Sequence, residues 1–102
     1  MAKTKKRLPA IHPGEVLLEE FMAPLGLSAN KLALDLRVPS NRIVGIVNRR
    51  RAVSADTALR LARYFNTSAD FWMNLQARYD LQEAEDELAE AIEREVHPRD
   101  AA

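Results

Sequence analysis

Polar side chains suited to contacting nucleic acid cluster between residues 39 and 51. Ser40, Asn41 and Arg42 open a short segment with apolar spacing, and three consecutive arginines follow it at 49–51. An asparagine amide can bond adenine through two hydrogen bonds, and an arginine guanidinium can bond guanine in the same way. Arginines just beyond such a segment would contact phosphates, which adds affinity without sequence preference. These residue types and their spacing predict a contact with double-stranded DNA.

Charge is divided unevenly along a chain whose formal net charge is zero. Residues 1–51 contain ten Lys/Arg and four Asp/Glu, a balance of +6, whereas residues 52–102 contain five Arg and eleven Asp/Glu, a balance of −6. Such asymmetry favours a nucleic-acid surface at one end and an acidic element at the other, although solvated surface charge would give the same counts.

Other kinds of chemistry find little support. The chain has no cysteine, and its two histidines, His12 and His97, belong to no metal-ligand pattern. The carboxylates have no accompanying nucleophile, and no glycine-rich phosphate loop is present. We therefore expect no enzyme, no metal and no cofactor. Because no apolar run of about 18 residues occurs, and no apolar stretch follows the basic N-terminus, we expect a cytoplasmic protein.

The elements that must position these side chains all have helical patterns. Helix starts are expected at or just after Pro13, Ser28, Pro39, Ser54 and Ser68, because proline suits the first helical position and serine is a good N-cap. His12 is expected to be a helix-entry residue. The sequence "APLG" should end the first helix, and the last could reach about 29 residues because no breaker occurs between Ser68 and Pro98.

Two short helices separated by about four residues form the pattern of a helix-turn-helix, whose second helix enters the major groove. The seam between them would be filled by Leu32, Leu36, Val38, Ile43 and Ile46. Gly45 costs that second helix about 1 kcal/mol relative to alanine. Its missing side chain would let the helix backbone approach DNA closely, and close packing between two helices of the domain is the alternative explanation.

The segment "GLSANKLALDLRVPSNRIVGIVNRRRAVSADTALRLARYF" resembles the Cro/C1-type (XRE) helix-turn-helix. Its flanks "IHPGEVLLEEFMAPLGLS" and "SADFWMNLQARYDL" resemble the HigA/VapI-type antitoxins, so that the resemblance covers roughly residues 10–81. It implies an all-α, five-helix, lambda-repressor-like fold with a C-terminal helical extension. It also implies a homodimer, repression of the antitoxin's own operon, and neutralisation of a partner toxin, usually a RelE-like ribonuclease that cuts mRNA.

The helix-turn-helix domain is expected at 11–80, between a flexible basic arm at 1–10 and an acidic helical extension at 81–97, with a tail at 98–102. Its DNA contacts are expected at Ser28, Pro39, Ser40, Asn41, Arg42, Val44, Gly45, Asn48, Arg49, Arg50 and Arg51. A dimer interface is expected at Phe71, Trp72, Leu75 and Tyr79. Trp72 should point away from the face that the first four helices cover, although these residues could instead close the core.

The chain departs from the resembled pattern at two turns. Arg37 stands where glycine is usual between the two helices, and Asn48-Arg49 stands where Asn-Gly usually follows the second. A left-handed backbone at either arginine would cost about 1 kcal/mol. Either these turns differ slightly here, or stability is exchanged for positive charge facing DNA.

Three functions are compatible with the sequence. The first is a DNA-binding antitoxin that represses its own operon, and the second is a stand-alone XRE-type transcription regulator. The third is a protein-interaction module whose helix-turn-helix no longer reads DNA. The acidic extension could contact a basic toxin or remain solvated.

Overall fold

Residues 8–100 are described by the computed structural model and contain helices but no strand. Helix α1 spans 13–25 and consists of an α-helical turn Pro13–Val16, a wider π-helical stretch Leu17–Met22 and a last turn Ala23–Leu25. Four α-helices follow, namely α2 (Ala29–Leu36), α3 (Ser40–Val47), α4 (Ala55–Phe65) and α5 (Ala69–Glu95). The all-α, five-helix architecture expected from the sequence is confirmed. The basic arm at 1–10 lies largely outside the described residues.

The helix starts follow from local capping chemistry. Ser28, Ser54 and Ser68 each accept, through Oγ, a hydrogen bond from the backbone N–H three residues on, at 3.0–3.3 Å. These bonds satisfy backbone donors that the first turn of a helix leaves without partners. His12 does the same for α1, where its Nδ1 accepts from the N–H of Gly14 at 2.9 Å. The expected helix-entry role of His12 is confirmed.

Four helices end in a left-handed residue, namely Gly26, Arg37, Arg49 and Asn66, with φ of 64°, 63°, 63° and 59°. After α3 the N–H of Arg49 bonds the carbonyl of Ile46 at 3.0 Å, and the N–H of Arg50 bonds that of Gly45 at 2.8 Å. This pair of bonds is the Schellman pattern, which usually places glycine at the left-handed position. The turns therefore keep the left-handed geometry, and each arginine carries the cost of about 1 kcal/mol.

All five helices contribute to one core. Its buried hydrophobic residues are Leu17, Met22, Leu32, Ala33, Leu36, Ile43, Ile46, Val53, Ala58, Leu61 and Trp72. Four of the five residues expected at the seam between α2 and α3 are among them, and the fifth, Val38, packs against the core while half-buried. Burial of each large aliphatic side chain stabilises the fold by about 1.5–3 kcal/mol.

Trp72 lies inside this core, and the prediction that it points away from the core is wrong. Its side chain is fully buried, and its Nε1 donates to Thr67 Oγ1 at 2.8 Å. The ring centroids of Phe21 and Phe71 each lie 5.0 Å from that of Trp72. Because α1 packs against α5 and brings Phe21 onto it, a second face of α5 is covered within the monomer.

Helix α5 continues beyond the core as a projecting acidic segment. Its 27 residues span about 40 Å at 1.5 Å per residue. Leu81, Leu88 and Ile92 follow one another at helical spacing along the projecting part and are 45–62% exposed. Among residues 8–100, no helix is both long enough and apolar enough to cross a membrane.

Candidate nucleic-acid interface

Helix α3 divides its side chains between the core and solvent. Ile43 and Ile46 are fully buried and pack the helix against its neighbours. Asn41, Val44 and Asn48 are exposed, and their spacing of three and four residues places them on the opposite face. Val44 is 38% exposed, which leaves an apolar group within an otherwise polar stripe. This outer face therefore combines amide groups with a methyl-bearing contact surface.

The position of α3 is fixed by Gly14 in α1. A Cβ atom built on Gly14 would lie 1.8 Å from the carbonyl oxygen of Ile46 and 3.0 Å from Cα of Val47. No residue with a side chain fits there without displacing a backbone, so the segment 12–15 docks the start of α1 on the end of α3. Sequence reasoning assigned Pro13 to a helix start but missed Gly14. The signal was a glycine in a first helical turn, where it weakens the helix.

Within the protein, the nearest neighbour of Gly45 is a side chain from the following turn and not another helix. A Cβ atom there would meet the Arg51 side chain, at 3.1 Å from its Cβ and 3.3 Å from its Cδ. The alternative explanation, close packing of Gly45 against another helix, is therefore wrong. The alkyl stem of Arg51 runs along α3 and covers this glycine, as long cationic side chains commonly cover apolar surface.

The three arginines after α3 are all exposed. Arg49 pairs with a residue of α1, since its Nη2 is 3.4 Å from Oε1 of Glu15. Their side chains are 60% and 36% exposed, so this ion pair contributes about 0–1 kcal/mol. The N–H bonds of Arg49 and Arg50 to the end of α3 hold the turn in one conformation. The positive charge of residues 49–51 is therefore presented at a defined place beside α3.

The side chain of Arg42 pairs with the first turn of α4. Its side chain is 26% exposed, and its Nη1 donates to Oδ2 of Asp56 in the first turn of α4. Arg60 donates from Nε to both carboxylate oxygens of Asp56 at 3.2 Å, and from Nη1 to the carbonyl of Leu36 at 2.8 Å. Hydrogen bonds from Arg42 first and Arg60 second hold the pKa of Asp56 below its ordinary value.

Sequence reasoning expected Arg42 at a base edge and missed both Asp56 and Arg60. The available signal was an aspartate at the second position of a helix with an arginine four residues later, a spacing that brings the two side chains together.

A second polar contact joins α4 to α2. The hydroxyl of Tyr64 donates to Oδ2 of Asp35 at 2.6 Å, and Nζ of Lys31 donates to Oδ1 at 3.1 Å. The bond from Tyr64, followed by that from Lys31, lowers the pKa of Asp35, and the same carboxylate raises the pKa of Tyr64. Helix α4 thus holds α2 at two points, through Arg60 and through Tyr64.

The loop between the arginines and α4 is anchored by Gln76. This side chain is only 5% exposed, and its Oε1 accepts from the backbone N–H of Val53 at 2.8 Å. Its Nε2 donates to Oδ1 of Asp80 at 2.9 Å. Sequence reasoning missed Gln76, although a glutamine inside the apolar spacing of Trp72 and Leu75 could have indicated a buried polar contact.

His12 connects the start of α1 with α5. It is buried, and its ring lies edge-on to Tyr79 with a centroid distance of 4.8 Å. Burial first, and the charge of Arg49 second, lower its pKa, while Asp80 and Glu15 act in the opposite direction. The neutral ring is the form that can accept the Gly14 N–H. No group of three or more His, Asp or Glu side chains within 8–100 is arranged to hold a metal ion.

The remaining predicted contact residues lie at helix starts. Ser28, Pro39 and Ser40 are exposed, and Pro39 occupies the N-cap position of α3 with φ −62° and ψ 144°. The Oγ of Ser28 is committed to capping α2, where it accepts the Lys31 N–H at 3.0 Å. Ser28 and Ser40 thus mark the N-terminal ends of the two helices of the helix-turn-helix, where helix dipoles favour phosphate.

Comparisons with known proteins agree with this geometry. Residues 18–72 match the helix-turn-helix family HTH_3. Virulence-associated protein I of Dichelobacter nodosus is 54% identical over 81 residues, which are 79% of this chain and 75% of that protein. The uncharacterized HTH-type transcriptional regulator YbaQ of Escherichia coli K12 is 43% identical over 76 residues, 74% of this chain and 67% of that protein.

A solved structure shares the fold at 46% sequence identity. It is the Pseudomonas aeruginosa antitoxin HigA with the higBA promoter, which superposes with a TM-score of 0.85 and covers 87% of this chain and 97% of its own. The chain therefore belongs to the HTH_3 family of XRE-type helix-turn-helix proteins, in the group that includes HigA antitoxins and virulence-associated protein I.

Proposed function

We propose that this protein is a DNA-binding antitoxin that represses its own operon by placing α3 in the major groove of operator DNA. The observation that carries the proposal is the outer face of α3, where Asn41, Val44 and Asn48 are exposed beside three exposed arginines at 49–51. The amides supply base readout and the arginines supply phosphate contacts. A relative with 46% identity was solved with promoter DNA, which supports the same use of this face.

The proposed partner is a toxin, which we take to be an mRNA-cutting ribonuclease of the RelE-like class. Relatives of this chain carry the name antitoxin, including HigA-1 of Vibrio cholerae. An enzyme that cuts RNA needs basic side chains where it contacts phosphates. The C-terminal half of this chain has a balance of −6, which would attract such a partner.

Selection from a random duplex library tests DNA binding. The purified protein should enrich one duplex family with two related half-sites, and a shuffled duplex of the same composition should bind more weakly. The double variant N41A/R50A, which lacks one proposed base contact and one proposed phosphate contact, serves as the weak-binding control. Equal retention of the selected and shuffled duplexes by the unmodified protein would contradict the proposal that it recognises a DNA sequence.

Co-expression tests the antitoxin function. The small protein encoded beside this chain should arrest growth when expressed alone, and co-expression of this chain should restore growth and yield a co-purifying complex. A stand-alone transcription regulator is the second candidate, because YbaQ, at 43% identity, is named a transcriptional regulator. Selective DNA binding without a toxic neighbouring protein would favour that second function.

We further propose a homodimer, whose interface lies on the projecting part of α5. The exposed apolar side chains there are Leu81, Leu88 and Ile92, with the half-buried Ala84 and Ala91 between them at the spacing of a coiled-coil seam. Within residues 8–100 the hydrophobic core does not extend to this stripe, and pairing of two copies would bury it. Phe71, at 37% exposure, could extend the interface, whereas the buried Trp72 could not.

A further inference from the structure

One carboxylate joins three helices around the start of the recognition helix. Asp56 in α4 receives Nη1 of Arg42 from α3 and Nε of Arg60 from its own helix. Arg60 also binds the carbonyl of Leu36, the last residue of α2. The carboxylate is thus fixed from one side by Arg60 while it holds Arg42 from the other.

This arrangement limits where the Arg42 guanidinium can go. A free arginine side chain carries about 2 kcal/mol of rotamer entropy and can reach any phosphate nearby. The pair with Asp56 uses Nη1, and a guanidinium has five N–H donors in a rigid fork, so donors remain for a base edge. An arginine held in one orientation at the start of α3 discriminates between bases better than one that is free to turn.

We infer that Asp56 is a positioning residue that determines DNA specificity by orienting Arg42, with Arg60 fixing the carboxylate. The inference rests on the proposed DNA-binding function. Asp56 also places a negative charge, 52% exposed, close to the expected DNA surface. While it pairs with Asp56, Arg42 is not free to bind phosphates, so binding to arbitrary sequences is weaker and the difference from the operator is larger.

The chain provides a matched control for the test. Ser54-Ala55-Asp56 starts α4, and Ser68-Ala69-Asp70 starts α5 with the same residue types at the same helical positions. D56N and D70N therefore remove the same interaction with a helix N-terminus, but only D56N removes the charge that holds Arg42 and Arg60. Both variants are compared with the unmodified protein on the library-selected duplex and on its shuffled counterpart, over a salt series.

D56N should reduce the ratio of affinities for the selected and shuffled duplexes about tenfold, or about 1.4 kcal/mol. Binding to the shuffled duplex should strengthen, and its salt slope should steepen by about one because Arg42 becomes free to bind phosphate. D70N should change neither quantity. A purely structural role for Asp56 would instead lower the melting temperature and weaken both duplexes in parallel, which would overturn the inference.

A double-mutant cycle tests whether Asp56 acts through Arg42. In an R42A background, D56N should no longer change the affinity ratio, and persistence of its full effect would contradict the inference. If D56N does not fold, D56E supplies the measurement, because it keeps the charge but shifts the carboxylate by one methylene group from the place where it holds Arg42; an unchanged ratio would then refute the positioning role. Failure of the unmodified protein to select any duplex would instead refute the proposed function itself.

Discussion

Gly14 and Ile46 bring two helix backbones into direct contact. A Cβ atom on Gly14 would lie 1.8 Å from the carbonyl oxygen of Ile46, well inside any van der Waals distance. The start of α1 therefore packs backbone to backbone against the end of α3, and this contact helps to fix where the exposed face of α3 lies.

The first prediction is that Gly14→Ala destabilises the protein by about 1–3 kcal/mol and weakens DNA binding, because the added methyl group must push α3 away from α1. Gly45→Ala is the matched control. Its methyl group would meet the Arg51 side chain, at 3.1 Å from Cβ and 3.3 Å from Cδ, so Arg51 must shift slightly while the α3 helix gains about 1 kcal/mol of propensity, and the net change in stability should be small. Urea unfolding of the two variants measures the difference. Equal losses of stability in the two variants would contradict the claim that the α1–α3 contact leaves no room for a side chain at position 14.

The second prediction concerns base readout by Asn41. Asn41→Ala should weaken binding to the selected duplex by about 1–3 kcal/mol and relax the base preference at one position of each half-site. The same substitution at Asn74, which is exposed on α5, should leave binding unchanged. Competition binding with single-base variants of the duplex reports both effects. Unchanged affinity together with unchanged base preference would remove Asn41 from this role.

The third prediction assigns Arg50 to a phosphate. Arg50→Ala should weaken binding to selected and shuffled duplexes by similar factors and reduce the salt slope by about one. We assign the phosphate contact to Arg50 because the other two arginines make contacts within the protein. The guanidinium of Arg49 also pairs with Glu15, and the stem of Arg51 covers Gly45. Arg94→Ala, on the acidic end of α5, is the control. Loss of discrimination with an unchanged salt slope would mean that Arg50 contacts a base.

The helix bounds were predictable because their signals are local. The serine caps at Ser28, Ser54 and Ser68 and the proline at Pro13 each act within one helical turn. The environment of Trp72 was not predictable in this way, because it depends on Phe21, which lies 51 residues earlier and is brought in by α1 packing. Spacing along one helix cannot show which faces other helices cover.

The polar contacts of the site were missed for the same reason. Gln76 meets Val53 across 23 residues, and Arg42 meets Asp56 across 14. The two turns that carry arginine show the reverse case. The local preference for glycine at such positions was known, but it did not prevent these turns from adopting the left-handed backbone. Arg37 and Arg49 adopt the left-handed backbone at a cost of about 1 kcal/mol each, because the Schellman bonds and the core around them fix the turns.

The fourth prediction concerns pH. Burial lowers the pKa of His12 below its ordinary value of 6.5, so the unfolded chain takes up a proton at a higher pH than the folded protein does. The contribution of His12 to the free energy of unfolding is therefore fully present above about pH 6.5. It is lost as the pH falls from there toward the pKa of His12 in the folded protein. Protonation also removes the acceptor for the Gly14 N–H.

His12→Asn should flatten this decline, because asparagine can cap a helix and does not titrate. His97→Asn, at an exposed position, should leave the decline unchanged. The urea midpoint of each protein between about pH 7.5 and 5 provides the comparison. Asp35 and Asp56 do not interfere in this window, because their pKa values lie below 3.8 and their stabilisation is lost only in stronger acid. An identical decline in the His12 variant would exclude the histidine as its source.

The fifth prediction concerns the dimer. Leu88 is 45% exposed in the middle of the apolar stripe on α5, and a two-fold interface would place this stripe against its own copy. Leu88→Glu would then introduce two buried charges, and the dimer should dissociate. Operator affinity should fall as well, although no DNA-contacting residue changes, because two linked recognition helices bind half-sites about 34 Å apart.

Leu59→Glu is the control for Leu88→Glu, since Leu59 is 63% exposed on α4 and lies outside the proposed interface. Sedimentation at micromolar concentration should show a dimer for the unmodified protein and the control, and a monomer for the Leu88 variant. Added salt should strengthen the dimer, because eight acidic residues between Asp80 and Glu95 place like charge on both copies. A monomeric unmodified protein would reject the dimer, and a Leu88 variant that stays dimeric would move the interface to another surface.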